Sequence, residues 1–262
     1  MNKQPIGIFD SGVGGLSIWK EITQLLPFED TIYLADSINA PYGEKSEEEI
    51  VQLCLKNTNI LLNKGCKLIV VACNTATTNG IKILRNTYNI PFIGIEPAIK
   101  PATLKTKTNT IGILATKGTL NSSLFAETSE KHKDGITVIE TVGTGLVPLV
   151  EDNNLESKEM QLLLESYIQP MLENHIDCLV LGCTHYPFLI PQIKKITGKS
   201  VEIIDSGLAV AKQTKAILEE KNIINTTKEN SKHHIYSNTN LKTVKSLLKN
   251  SLENTELHLE KY

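Results

Sequence analysis

Twice in this chain an apolar run goes straight into a cysteine followed by small polar residues. Residues 67–80, KLIVVACNTATTNG, deliver Cys73, Asn74 and Thr75. Residues 178–187, CLVLGCTHYP, deliver Cys183, Thr184 and His185. A short continuous apolar run bounded in this way reads as a strand buried on both faces, the signature of a parallel sheet covered by helices. A sheet of that kind places its functional groups beyond the carboxyl ends of its strands. Both runs end in a thiol at that position, so Cys73 and Cys183 are expected to face each other across one substrate.

The rest of the chain supports an α/β fold. Residues 5–9 (PIGIF) read as a first strand running into DSGVGG, followed by a helix to Leu26 that Pro27 ends. TIYLA, ending at Asp36, reads as a second strand and NAPYG as a loop. Ser46 and Glu49 have capping-box spacing ahead of a helix. The pattern then restarts. TIGILA repeats the earlier IGI, ATKGT turns the chain as DSGVGG does, and a strand ending in a cysteine follows at similar distance. This suggests two related halves. TVIETV reads as a strand, VPLVE as a turn or helix, and residues 159–175 as a helix broken or kinked at Pro170. Residues 200–204 read as a strand into DSG, with a helix beyond it. Residues 226–231 read as a loop, and the tail as strand, helix and strand returning to complete the first half. The expected architecture is two similar domains with mainly parallel sheets flanked by helices, related by a pseudo-twofold, with the active site in the cleft between them. Residues 1–97 and 207–262 would form the first domain and residues 98–206 the second.

Charge excludes some partners. Lys plus Arg number 27 against 29 Asp plus Glu, so nothing favours nucleic acid or an anionic membrane surface. No apolar run is long enough to span a bilayer, and residues 1–12 carry no secretory pattern. A cytoplasmic location is therefore expected, with all five cysteines reduced. Of these, Cys54, Cys66 and Cys178 read as buried packing residues. Cys73 and Cys183 are expected at helix amino termini, near threonines suited to capping, where a thiol pKa falls. His185 would assist Cys183. Asp10 and Ser11 offer an acceptor and a donor for an ammonium and a carboxylate, and the amides of Tyr42 and Gly43 offer donors to a carboxylate. Asp36 and Asp205 read as structural. Glu151 reads as a solvated side chain by pattern alone. His233 and His234 read as surface residues with no further ligand spaced nearby, so no metal is expected.

Two opposed thiols suit inversion of a carbon stereocentre: one base removes a proton from one face while a conjugate acid returns one to the other. No lysine motif for pyridoxal phosphate is evident, so no cofactor is expected.

IGIFDSGVGGLS, DSINAPYGEKS, VVACNTAT, GIEPAIKPA, VPLVE, LVLGCTHYP and IIDSG together resemble the glutamate racemases of the cofactor-independent aspartate/glutamate racemase family, over nearly the whole length. The resemblance implies that Cys73 and Cys183 are the catalytic acid and base, with Cys73 acting on D- and Cys183 on L-glutamate. It implies helper roles for Asp10, Glu151 and His185. It assigns substrate binding to Asp10, Ser11, Tyr42, Gly43, Asn74, Thr75, Thr184 and His185, and implies that the product supplies peptidoglycan synthesis. TVGTG, ahead of VPLVE, departs from the family's expected form. The longer amino-terminal segment of members activated by a cell-wall precursor does not precede DSGVGG, so that regulation is not expected. A homodimer is one assembly open to such a chain.

Overall fold

The computed structural model describes residues 2–132, 135–227, 229–249 and 251–262. In chain order the elements begin β1 (Ile6–Asp10), α1 (Leu16–Leu25), β2 (Thr31–Ala35), α2 (Glu47–Asn63), β3 (Leu68–Val71), α3 (Asn74–Thr87), β4 (Phe92–Gly94) and α4 (Ile99–Lys105). They continue with β5 (Thr110–Ala115), α5 (Lys117–Leu120), α6 (Ser123–His132), β6 (Thr137–Val142), α7 (Leu146–Glu151), α8 (Lys158–Glu173) and β7 (Cys178–Gly182). The last are α9 (Ile190–Thr197), β8 (Glu202–Ile204), α10 (Gly207–Glu220), β9 (His233–Ser237), α11 (Lys242–Leu248) and β10 (Thr255–Leu259).

Two sheets result, and every strand pairing in both is parallel. The first has the order β10-β9-β2-β1-β3-β4 and the second β6-β5-β7-β8. Both halves therefore share one core arrangement: their first strand lies between their second and third, with the fourth beyond. The chain's tail joins the first sheet, β9 pairing with β2 and β10 with β9. Strands β1, β3 and β7 are buried throughout, as parallel strands covered on both faces must be. The largest apolar cluster runs from Ile8 and Trp19 at the first sheet to Leu164 and Leu181 at the second, so the halves share a core.

Local chemistry sets the ends of the elements. The Ser46 hydroxyl accepts from the Glu49 N–H while the Glu49 carboxylate accepts from the Ser46 N–H, the expected capping box at the start of α2. NAPYG is the expected loop, with Ala40 and Pro41 joining two short 3-10 turns at residues 37–39 and 42–44. Helix α8 runs through Pro170 without interruption, which rules out the break of the two expected outcomes, break or kink. Pro170 sits in the last turn on an exposed face, where water can satisfy the carbonyl that loses its partner. The tail loop at residues 226–231 is irregular where described; residue 228 lies outside the described residues. TVGTG gains a reason: Gly145 has a φ of 82°, which a side chain would resist, and it is the residue from which α7 starts.

His233 is not a surface residue. The strand HHIYS alternates, and Ile235 points into the core, so His233 does too. Its Nδ1 lies 2.9 Å from Thr31 Oγ1 and its Nε2 3.0 Å from Ser231 Oγ, with Trp19 edge-on.

Candidate active site

Both sheets aim their carboxyl ends at one place. β1 ends at Asp10 with Ser11 next, Cys73 stands two residues past β3, and Cys183 directly follows β7. One cavity between the halves is lined by both thiols together with Ser11, Asn74, Thr75, Thr184 and His185. It leaves room for about one water-sized sphere. A wider cavity of about 270 Å³ shares Pro41, Gly43, Thr116 and Val147 with it and forms its mouth.

Each thiol has its own surroundings. The Cys73 sulfur accepts from the Ala76 N–H at 3.5 Å and so caps α3 itself; Ser11 Oγ is 3.7 Å away. Cys183 lies 3.7 Å from His185 Nδ1. The far side of that ring, Nε2, is 2.6 Å from Glu151 Oε1. Glu151 is held from three sides. Oε1 also accepts from the Val13 N–H at 2.7 Å, Oε2 accepts from the Ser37 hydroxyl at 2.7 Å, and its main-chain oxygen accepts from Thr243. The chain from Cys183 through His185 to Glu151 thus rests on the loop after β1. Two glycines of DSGVGG make room for it. A Cβ at Gly12 would stand 1.9 Å from Glu151 Oε1, and one at Gly14 would stand 2.2 Å from His185 Nδ1. Asp10, fully buried, accepts from the Gly15 N–H at 2.9 Å and from the Thr184 hydroxyl at 3.3 Å, joining the two halves. The amide of Asn74 is buried, and neither its oxygen nor its nitrogen has a protein partner. A buried amide in that state calls for a ligand.

The sequence profile described as Asp/Glu/Hydantoin racemase matches residues 6–214. The chain belongs to that family. It is 45% identical over 225 residues to a glutamate racemase of Herpetosiphon aurantiacus, covering 86% of this chain and 89% of the relative. The fold is similar to a glutamate racemase isoform of Bacillus anthracis, with TM-score 0.87, 30% identity and coverage of 100% of this chain and 98% of that one. It is likewise similar to a glutamate racemase of Francisella tularensis solved with D-glutamate, with TM-score 0.84, 31% identity and the same coverage. In racemases of this family the fold is the two-domain α/β arrangement described above.

Against that family pattern, the cavity gathers most of the residues singled out in the sequence. Gly43 and Tyr42 line it too. The Tyr42 hydroxyl is turned away, donating to Asp36 Oδ2 at 2.6 Å, so what Tyr42 offers a ligand is main chain. Asp36 also accepts from Asn39 and Asn238 and acts as the anchor of that loop. Asp205 accepts from the Gly207 N–H at the start of α10, outside the cavity.

Four expectations need correction. Glu151 is not a solvated side chain; its carboxylate is 15% exposed and tied to three partners. No threonine caps at either thiol: Cys73 caps α3 itself, and Thr75 instead meets Thr116 at 2.8 Å. Cys183 begins no helix, since a 3-10 turn starts at Tyr186 and α9 only at Ile190. Nor does the helix terminus depress the Cys73 pKa. Burial, then the nearby Asp10 carboxylate, push that thiol well above its ordinary value, outweighing the Ala76 N–H. For His185, burial opposes the cation, but hydrogen bonds and charge from Cys183 and Glu151 overcome it. The imidazole pKa ends well above its ordinary value.

Thr116, Ser37 and Val147 were missed. Thr116 lies just past β5, the counterpart of the Asp10 end of β1, and the strand-end rule pointed to it. Ser37 follows β2 in the same way. Val147 carried no signal, since it looks like any apolar helix residue.

Proposed function

We propose that this chain interconverts L- and D-glutamate by two-base proton transfer at the α-carbon. The observation that carries this reading is that thiols from the ends of β3 and β7 line one cavity with polar neighbours on both sides. In the L-to-D direction, the Cys183 sulfur takes the α-proton as a thiolate while the Cys73 S–H donates to the opposite face. The products are D-glutamate, a Cys183 thiol and a Cys73 thiolate, and proton exchange through the neighbouring groups resets the pair. The raised pKa of Cys73 suits a group that begins this direction protonated. His185, held as a cation between Cys183 and Glu151, faces the sulfur with the charge that proton transfer requires. Asn74, Thr75 and Thr184, with Ser11 and the main chain at Tyr42 and Gly43, are the binding set for the two carboxylates and the ammonium, which Asp10 helps to receive. A cavity with space for about one water must open before glutamate enters, and its reclosing would exclude water from the carbanion. The D-glutamate formed would supply peptidoglycan, and the reduced thiols suit a cytoplasmic enzyme.

The test is L-glutamate in deuterated water. Optical rotation should vanish, and D-glutamate should appear with deuterium at the α-carbon. Cys73→Ser and Cys183→Ser should each lose racemisation by about 10²–10⁴-fold while remaining folded. No isotope exchange with either enantiomer, or near-normal turnover in either variant, overturns the scheme. Faster turnover of aspartate than of glutamate reassigns the substrate.

A further inference from the structure

The two carboxyl-terminal strands carry a cluster that the racemase site does not use. β9 and β10 pair in parallel with His234 opposite Glu256 and Tyr236 opposite His258. Residues two apart on a strand share a face, so all four side chains emerge on one side of the sheet. Three of them converge. His234 Nδ1 lies 3.1 Å from His258 Nε2, and Glu256 Oε2 lies 3.5 Å from the first and 3.8 Å from the second. A point at the centre of that triangle is about 2 Å from each corner, the distance at which zinc is held by imidazole nitrogen and carboxylate oxygen.

We propose that His234, Glu256 and His258 form a site for a divalent first-row metal ion such as zinc, which clips the terminal strand β10 to β9. The donor set of two imidazoles and one carboxylate suits a borderline cation and leaves a fourth position for water. Both imidazoles are about one-third exposed, so the ion has a route in. The site is also partly built. The Tyr236 ring stacks on His258 with centroids 4.4 Å apart and planes within 16°, which fixes the imidazole in its plane. The nearby cation, Lys64, lies over Tyr236 at 3.9 Å and pairs with Glu260, not with Glu256. The ligands lie far apart in sequence, so their spacing gave no warning of the site. The position also has a purpose. β10 is an edge strand held to the sheet on one side only, and coordination from both strands would secure it and blunt an edge open to foreign pairing.

The experiment adds zinc alone to the full chain and to His234→Gln and His258→Gln, measuring bound metal by equilibrium dialysis and β10 amide protection by hydrogen exchange. Zinc can also meet the thiols of the cavity, so the comparison between variants decides. The wild-type chain should bind one equivalent that each variant loses or binds about 10²-fold more weakly. β10 exchange should slow with zinc in the wild type only. Thermal midpoints without zinc, equal in all three proteins, show that the variants are folded. Zinc binding of equal stoichiometry and affinity in all three, or no zinc-dependent protection of β10 in the wild type, overturns the proposal.

Discussion

Gly14→Ala is the sharpest test of how the site is held. The added Cβ would stand 2.2 Å from His185 Nδ1, whereas ordinary contact begins at 3.4 Å. The imidazole must therefore retreat by about 1 Å, and it has little room to do so. His185 is 1% exposed, and its Nε2 is tied to Glu151 at 2.6 Å. A retreat lengthens the 3.7 Å contact with Cys183 and strains the bond to Glu151. Misplacement by about 1 Å of a group that positions a reacting atom costs about 10²-fold in rate, or about 2.7 kcal/mol. Gly14 has no positive φ, so alanine suits its backbone and the fold should survive. Racemisation followed by circular dichroism should show kcat falling about 10²-fold with a smaller change in KM, in a folded protein destabilised by roughly 1–3 kcal/mol through the buried overpacking. Turnover within a factor of two of the wild type would refute the claim that the loop after β1 sets the position of His185.

Glu151→Gln keeps the shape but removes the charge that helps hold the imidazolium. The His185 pKa should fall, so the alkaline limb of kcat/KM should move to lower pH. The raised native pKa also stabilises the fold fully below the unfolded value of about 6.5 and loses that contribution as pH rises through the native value, so the variant should lose part of this stability below neutrality. An unchanged pH profile would remove Glu151 from the proton chain. Lys67→Met breaks the buried pair with Glu29, which is 2.6 Å long with both side chains 2% exposed. Leaving that carboxylate without its cation, with the Asn225 N–H still on Oε1, should cost about 3–5 kcal/mol in denaturant unfolding while racemisation in the folded protein is unaffected. A loss below about 1 kcal/mol would mean that the pair contributes little.

Strands were the legible part of this fold, because a parallel sheet makes them run apolar on both faces. β2 and β5 begin and end where the apolar runs do. The thiols were legible for the same reason, as polar continuations of such runs. Glu151 was not, because what makes it a buried anchor is Val13, Ser37 and His185, all remote in sequence, and its own helix shows only an amphipathic pattern. The histidines failed differently. The alternation in HHIYS sets His233 inward with Ile235, and the polarity of a histidine pair masks that in the sequence. The Cys73 pKa was not legible because burial, which a helix-terminus position does not reveal, is the larger effect there.

The shared strand order of the two halves bears on why the site has two thiols but not two equal ones. In each half the third strand leads into a cysteine, and both sulfurs line one cavity between the halves. Under the proposed scheme this would supply two bases to opposite faces of one α-carbon from a single repeated arrangement. The surroundings then diverge: Cys73 caps a helix beside Ser11 and Asp10, while Cys183 has His185 and Glu151. Enantiomers have equal free energy in water, so the two directions must have equal kcat/KM whatever the helpers do. The unequal surroundings therefore set one common value of that ratio, and can make the directions differ only in how it divides between kcat and KM. A change confined to the His185 side, such as Glu151→Gln, must then lower kcat/KM for both enantiomers by one factor, even if kcat falls more for one of them.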